Sequence, residues 1–293
     1  MTPDDHLIAL TGATGVVGGA VAALLSEAGA RTRLVVRDPS RAPQLHGAEV
    51  RQASGYGAGD EMRAALEGAD ILFLVPGTEA ADRVEQHKTA VDAAVAAGVR
   101  HIVYLSVVNA APDSIWTLVR DHWRTEEHIR ASGAAWTFPR FNLYMDFIPF
   151  MVGADGVIRG PAGDGRAAAV MRSDVAAATA AVLTSEGHEG RTYDLTGPEA
   201  FSLADAAETM GRLTGRAVSF HDESDEEAFA SRAGQAPDWE VRGWVSSYWA
   251  IREGLLADVS PHVRELTGRD PVSLSDYLEA DPGVLAHVTA ERR

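Results

Sequence analysis

The sequence contains no cysteine and a single lysine, Lys88. Without cysteine, the chain has no disulfide framework, no thiol nucleophile and no thiolate metal site. It also lacks any apolar run long enough to span a membrane, and its polar first six residues lack the basic and apolar regions of a secretion signal. We therefore expect a cytoplasmic protein without membrane contact, and nothing in the sequence indicates a metal site.

Positive charge is scarce as well, since 26 lysines and arginines stand against 42 acidic residues and give a formal net charge of −16. A chain this acidic repels phosphate backbones, so we expect no direct binding to nucleic acid. With 293 residues, of which 46% are hydrophobic, the chain can bury a sizeable core. It is long enough for a large domain with a smaller lobe, and the sequence leaves open whether it is a monomer or a homodimer.

A glycine-rich turn joins an apolar strand to a helix near the N-terminus. Residues 7–10 form a short apolar run, and apolar side chains recur at helical spacing over residues 16–25. Between them, Gly12 permits a tight turn, Gly15 lets the backbone approach an anion, and Gly18 lets the helix pack closely on the strand. Because a helix N-terminus carries partial positive charge, this turn predicts a site for a dinucleotide diphosphate.

Apolar runs and helical patterns alternate through the first half of the chain, which is typical of a doubly wound parallel sheet. After the glycine turn, the pattern predicts strands at residues 32–36, 49–53, 71–75, 101–106 and 135–139 and helices at residues 60–66, 80–97 and 115–131. Past residue 150, glycines punctuate the chain and helices dominate.

We therefore expect an α/β fold with a Rossmann-like, doubly wound parallel sheet and a small C-terminal substrate lobe. The sheet would occupy residues 1–152 and be completed by residues 173–196. Residues 153–293 would form a mostly helical lobe that closes over the C-terminal edge of the sheet, where such folds bind ligands.

Arg37 follows the second predicted strand, about 20 residues after the glycine turn. A site that prefers NAD places an acidic residue there to bind the ribose hydroxyls, whereas an arginine accommodates a 2′-phosphate. Asp38 and Pro39 instead indicate a helix cap with proline at the first helical position. Arg37 therefore predicts NADPH as the cofactor, the alternative being a solvated surface arginine.

Several stretches together resemble the NmrA-like branch of the atypical short-chain dehydrogenases, particularly its NAD(P)H:quinone oxidoreductase and triphenylmethane reductase group. They are residues 11–18, 36–39, 86–87, 97–106, 125–126 and 187–195. The resemblance implies an NADPH-binding Rossmann-like fold that reduces small molecules.

The same resemblance implies particular cofactor contacts, residue by residue. The residues that would contact the diphosphate are Thr11, Gly12, Ala13, Thr14, Gly15, Val16 and Val17. Gly18, the next residue, is also assigned to the cofactor site. Arg37 would bind the 2′-phosphate. Those for the nicotinamide half are Val75, Pro76, Gly77 and Ser106, and Arg140 is placed with the cofactor as well.

The acid/base pair of the wider superfamily, Tyr-x-x-x-Lys, is missing. Leu118 stands at the tyrosine position and His122 at the lysine position, and quinone reductases of the family resemble this sequence in having that histidine. Because an unperturbed histidine has a pKa near 6.5, we expect His122 to deliver a proton at neutral pH, with Ser106 as a second catalytic residue. The alternative is a histidine that only packs and hydrogen-bonds.

The segment after the sixth predicted strand is rich in aromatic side chains and should turn over the nicotinamide. Asn142, Tyr144, Met145 and Phe147 would contact a flat aromatic substrate, and Trp244, on a predicted helix, would serve as a lid. Aromatic core packing without a ligand is the alternative for the same residues.

Three functions fit these residues. The first is an NADPH-dependent reductase that transfers a hydride to an electron-poor aromatic molecule such as a quinone, because an electron-poor acceptor needs little acid catalysis. The second is a non-catalytic redox sensor that binds NADP(H), as the missing Tyr-x-x-x-Lys pair would allow. The third is a tailoring enzyme for imine reduction or non-redox cyclisation.

Overall fold

The computed structural model describes residues 6–289, so the polar start of the chain, residues 1–5, lies outside the described residues. Within that range a parallel sheet of eight strands forms the centre of the molecule. The strands, in chain order, are β1 (Leu7–Thr11), β2 (Arg31–Val36), β3 (Ala48–Gln52), β4 (Ile71–Leu74), β5 (His101–Tyr104), β6 (Ser106–Val107), β7 (Ala135–Phe141), β8 (Val157–Gly160), β9 (Arg166–Ala167), β10 (Arg191–Leu195), β11 (Phe201–Ser202) and β12 (Ser219–Asp222).

The strand order β10-β7-β5-β4-β1-β2-β3 confirms the predicted doubly wound fold. The order in which the chain adds strands to the sheet reverses between β1 and β4. Folds of this kind bind their ligands at that point, at the carboxyl ends of the strands. The short β6 pairs only with β7. The helices are α1 (Val16–Glu27), α2 (Gly59–Leu66), α3 (Arg83–Ala96), α4 (Val119–Ala131), α5 (Arg172–Thr184), α6 (Leu203–Thr214), α7 (Asp225–Arg232), α8 (Asp238–Arg252), α9 (His262–Thr267) and α10 (Leu274–Ala280).

Two predicted elements differ from the observed ones. The strand predicted at residues 101–106 breaks at Leu105, whose N–H donates to Leu74 O, and then continues as β6 beside β7. The helix predicted from residue 115 begins only at Val119, because the segment before it contacts α8, with Thr117 N–H donating to Ser246 Oγ at 3.1 Å. Both differences depend on contacts between distant parts of the chain.

Both faces of the sheet are buried, as expected for a parallel sheet covered by helices. Side chains alternate between the faces along β4: Phe73 packs towards α1 and α5, whereas Leu72 and Leu74 pack towards α2 and α3. The continuous apolar runs of the sequence are therefore core strands.

A second core lies beyond the carboxyl edge of the sheet and joins α6 and α10 to the segment after β7. Two small sheets, β8 with β12 and β9 with β11, belong to this part of the chain. In the stretch of chain between β9 and β11, the chain returns to the main sheet. There α5 packs on α1, and β10 pairs in parallel with β7. None of the described helices is long and apolar enough to cross a membrane.

Candidate active site

The glycine turn between β1 and α1 is tightly packed, as its sequence predicts. Gly12 has a φ of +68°, and a Cβ there would lie 2.8 Å from Val75 Cβ. A Cβ at Gly18 would lie 2.3 Å from Gly12 O. The Gly15 N–H donates to Gly12 O at 2.9 Å and closes the turn. Glycine is therefore required at positions 12 and 18 by the protein itself.

Gly15 differs, because a Cβ there would meet only Gly12 O at an ordinary 3.4 Å. Gly15 is the N-cap of α1, which begins at Val16 with no side-chain cap and no acidic residue in its first turn. Its first N–H groups therefore face the cleft with a partial positive charge and with room for close approach. This donor set fits a diphosphate group.

A cleft of about 550 Å³ extends from the glycine turn across the carboxyl ends of β1 and β4. Eight of the predicted cofactor residues line it: Gly12, Gly15, Val16, Val17, Gly18, Val75, Pro76 and Gly77.

The loop at residues 75–77 is fixed by three hydrogen bonds. The Val75 N–H donates to Thr11 Oγ1 at 3.0 Å, and Tyr56 Oη donates to Val75 O at 2.6 Å. The Gly77 N–H donates to His87 Nε2 at 2.9 Å. The loop is therefore held in place from below before any ligand binds.

The other predicted cofactor residues have different places. Thr11 and Ala13 are buried beneath the turn, where Thr11 supports the loop through Val75, and Thr14 is exposed on its outer side. Arg37 is exposed directly after β2, and its carbonyl accepts a hydrogen bond from Gln52 Nε2 at 3.0 Å. Its side chain is outside the lining of the 550 Å³ cleft.

Ser106 and Arg140 both bind the buried carboxylate of Glu126. Ser106 Oγ donates to Glu126 Oε1 at 2.6 Å, and Arg140 forms two hydrogen bonds to the same carboxylate at 2.8 and 2.6 Å. Ser106 is fully buried, and neither residue lines a cavity of the site. The structure thus corrects their expected position: they tie α4 to β7 and thereby place Phe141, the next residue along the chain.

A second cavity, of about 360 Å³, adjoins the cleft and shares Pro76, Glu79, Arg83, Phe141, Tyr144 and Arg172 with it. We call it the substrate cavity. The predicted substrate residues Tyr144, Phe147 and Trp244 line it, together with Val107, Trp116, Leu118, Val119, His122, Leu143, Gly243 and Ser247. Phe141 and Tyr144 stack with ring centroids 4.3 Å apart and form a flat aromatic wall.

Asn142 and Met145 lie behind this wall, not in it. Asn142 is 1% exposed, donates from Nδ2 to Leu256 O at 2.9 Å and accepts the Leu143 N–H at 2.7 Å. Met145 is fully buried in the second core. Their burial corrects the predicted contact with substrate, since neither side chain lines the cavity.

His122 lines the substrate cavity, and both of its ring nitrogens have hydrogen-bond partners. Its Nε2 lies 3.2 Å from Arg83 Nη2, and its Nδ1 lies 3.1 Å from Tyr104 Oη. Because a guanidinium can only donate, Nε2 must accept, and the ring proton is on Nδ1 and points to Tyr104. Burial, and then the charge of Arg83, lower the pKa of His122 well below its usual value. This lowered pKa disfavours proton delivery by the ring at neutral pH, and a catalytic role for His122 stays a prediction.

Glu79 and Arg172, which line both cavities, were not predicted from the sequence, and neither was Arg83. Arg83 begins α3, is 6% exposed and lines both cavities. One sequence signal could have found it: a cation in the first turn of a helix is at the unfavourable end of the helix dipole, so its position there calls for an explanation. Among residues 6–289, no cluster of histidine and acidic side chains could hold a metal ion.

Two buried neutral histidines should make the protein sensitive to acid. Burial, and then the charge of Arg83, lower the pKa of His87 to about 3, and the pKa of His122 is lowered as well. Below about pH 6.5 these histidines bind protons in the unfolded chain but not in the folded protein. Their contribution to the free energy of unfolding is therefore fully present above that pH and is lost as the pH falls. Each histidine should contribute about 1.4 kcal/mol of lost stability per pH unit.

Urea unfolding at a series of pH values measures this slope. His122→Gln keeps an acceptor for Arg83 and removes one titrating group, so its slope should be shallower by one histidine's share. An unchanged slope in that variant would show that His122 does not differ in protonation between the folded and unfolded states.

Comparisons with known proteins place this geometry among reductases. The profile of the NmrA-like family matches residues 4–236. The chain is 36% identical over 277 residues to (4-alkanoyl-5-oxo-2,5-dihydrofuran-3-yl)methyl phosphate reductase of Streptomyces griseus, covering 92% of this chain and 96% of that protein. It is 33% identical over 280 residues to quinone oxidoreductase 2 of Escherichia coli, again covering 92% and 96% of the two chains.

Solved structures agree with these relatives. The NADPH-dependent quinone oxidoreductase QOR2 of Escherichia coli, complexed with NADPH, superimposes with a TM-score of 0.87 at 32% identity over 93% of this chain and 99% of that one. The triphenylmethane reductase of a Citrobacter species, complexed with NADP(H), superimposes with a TM-score of 0.82 at 30% identity over 93% and 99% of the two chains.

Proposed function

The chain belongs to the NmrA-like family, and on that premise we propose that it is an NADPH-dependent reductase that transfers a hydride to an electron-poor aromatic small molecule, with quinones as the leading class. The observation that carries this proposal is the pair of adjoining cavities. The 550 Å³ cleft begins at a turn suited to a diphosphate, and the substrate cavity opens directly beside its far end. A hydride donor in one therefore adjoins an acceptor in the other.

The comparisons support the same chemistry. One relative is a quinone oxidoreductase, another is a reductase of an oxo-dihydrofuran phosphate, and two of the superimposed structures were solved with NADPH or NADP(H). The reactions named share an electron-poor acceptor, for which positioning of the donor supplies much of the rate. Such a reaction proceeds without the Tyr-x-x-x-Lys pair that this chain lacks.

When bound, NADPH supplies the hydride, and the residues of this chain position the reactants. The glycine turn binds the diphosphate through backbone N–H groups, and we assign the 2′-phosphate to Arg37. The loop of Val75, Pro76 and Gly77 and the stacked pair of Phe141 and Tyr144 flank the junction of the two cavities. The aromatic wall favours a flat acceptor.

The experiment that tests this function is a steady-state assay of NADPH oxidation. Purified protein is mixed with a panel of quinones and triarylmethyl dyes, with NADH in parallel and with reactions without acceptor as the control. We expect acceptor-dependent oxidation that prefers NADPH. If no acceptor oxidises NADPH although NADPH binds, as followed by its fluorescence, the protein is a sensor. If an organic substrate is converted with the cofactor unchanged, it is a non-redox enzyme. The cytoplasmic location and the choice between monomer and homodimer stay predictions.

A further inference from the structure

Arg83 is a buried cation that forms no ion pair among the described residues. Its guanidinium makes one hydrogen bond, to His122 Nε2, and its Nε has no partner. Within residues 6–289, no carboxylate oxygen lies within ion-pair distance of it. Two carboxylates nearby carry charge that acts on Arg83 without forming an ion pair to it: Glu79, which lines the same two cavities, and Asp121, which pairs with Arg124 at 3.2 Å. Burying a charge in this way is costly unless something else satisfies it, which indicates a group that arrives with a ligand.

The position of Arg83 indicates which ligand would carry this group. The residue lines both cavities, but its hydrogen-bond partner His122 lines only the substrate cavity. The glycine turn, at the other end of the cleft, already supplies the donors for a diphosphate. The guanidinium therefore lies where the acceptor, and not the diphosphate of the cofactor, would bind.

His122 has a clear part in this arrangement. Because it stays neutral, its Nε2 lone pair accepts from Arg83 and does not compete with it for an anion. Tyr104, which is fully buried, fixes the ring from the opposite side through Nδ1. A doubly anchored imidazole holds one edge of the guanidinium and leaves the remaining N–H donors of its terminal nitrogens for a ligand.

We propose that Arg83 donates hydrogen bonds to the acceptor oxygen on which negative charge collects during hydride transfer, and that His122 is the residue that positions it. The inference rests on the proposed function and narrows its substrate class to acceptors that carry a carbonyl oxygen conjugated to the atom that receives the hydride. Arg83 thereby takes the electrophilic part that a tyrosine and lysine take in the wider superfamily.

The electron balance separates two kinds of acceptor. A quinone gains a hydride, with its two electrons, from NADPH, which becomes NADP⁺; the resulting hydroquinone anion then takes one proton from solvent. A triarylmethyl cation gains the same hydride and becomes neutral, so no anion forms and no proton is needed. Arg83 should therefore matter for the first reaction and not for the second.

The first test compares wild-type protein with Arg83→Met on both acceptors. Methionine fills much of the same space without charge, and circular dichroism and thermal unfolding check that the variant folds. Quinone turnover should fall about 100-fold, the loss typical of removing one donor to a developing oxyanion, while dye reduction changes far less. His122→Leu should show a smaller loss of the same kind, and His122→Gln, which can still accept from Arg83, should restore most of it.

The second test needs neither NADPH nor turnover. 4-Nitrophenol is a flat phenol whose anion is coloured, so its ionisation in the cavity can be followed by absorbance. Wild-type protein should favour the bound phenolate by about tenfold relative to Arg83→Met, because a cation beside an acid lowers its pKa by a unit or more.

The outcomes separate this inference from the function on which it rests. Equal losses with quinone and dye, or a loss confined to NADPH affinity, together with unchanged nitrophenol ionisation, would remove Arg83 from the substrate and assign it to packing or to the cofactor. If none of the acceptors tested supports NADPH oxidation by the wild-type protein, the proposed function fails. The nitrophenol titration alone then still decides whether Arg83 binds an oxyanion.

Discussion

Replacing Gly18 by alanine should strongly weaken NADPH binding. The added Cβ would lie 2.3 Å from Gly12 O and 2.6 Å from Gly12 C, and because both atoms belong to the backbone they cannot move aside alone. Forcing such a contact typically costs about 1–3 kcal/mol, and here the atoms displaced are those of the phosphate turn itself. We expect the dissociation constant of NADPH to rise about 10-fold to 100-fold, as measured by fluorescence titration.

Gly55→Ala is the matched control. Gly55 also lies in a loop on this side of the sheet, but its φ lies outside the left-handed region and a Cβ there would have no atom within 4 Å. This variant should bind NADPH as the wild type does. If Gly18→Ala binds NADPH equally well, the turn between β1 and α1 does not hold the diphosphate in the way proposed.

Arg37→Asp should exchange the cofactor preference. Arg37 is exposed at the end of β2, where an arginine accommodates a 2′-phosphate and an acidic residue binds the ribose hydroxyls of NADH. Losing a charge-assisted contact and gaining a repulsive one should weaken NADPH binding by about 2–3 kcal/mol, or about 30-fold to 150-fold, and leave NADH nearly unaffected. Parallel titrations with the two cofactors measure the ratio.

The control for Arg37→Asp is Arg212→Asp, which changes the net charge by the same amount at an exposed position on α6. It should not alter the ratio of the two affinities. An equal loss of NADPH and NADH binding in Arg37→Asp would mean that this residue supports the site without selecting the phosphate.

The sequence was most informative where structure depends on local pattern. The apolar runs predicted the strands of the first half to within a few residues, because strands buried on both faces need continuous apolar sequence. The roles of Gly12 and Gly18 could be predicted because they depend on the local backbone: Gly12 has a left-handed φ, and Gly18 lies in close contact with the turn. Fold class and the place of the cleft followed from these two signals.

Residues whose role depends on distant neighbours could not be predicted. The lowered pKa of His122 needs the burial of α4 against the sheet and the arrival of Arg83 from α3, 39 positions away in the chain. Asn142 and Met145 have the residue types of a substrate wall, but the backbone of their segment turns them towards Leu256 and the second core. Spacing along the chain carries no information about either event.

The return of α5 and β10 to the sheet also determines how the molecule can be divided. Because the chain enters the lobe before these elements and again after them, no single cut yields two intact halves. A fragment that ended near residue 152 would leave β7 as an open sheet edge and uncover the face of α1 that α5 now covers. The cofactor cleft and the substrate cavity are thus expected to form in one cooperative folding event, so that this enzyme does not behave as a cofactor module carrying an exchangeable specificity module.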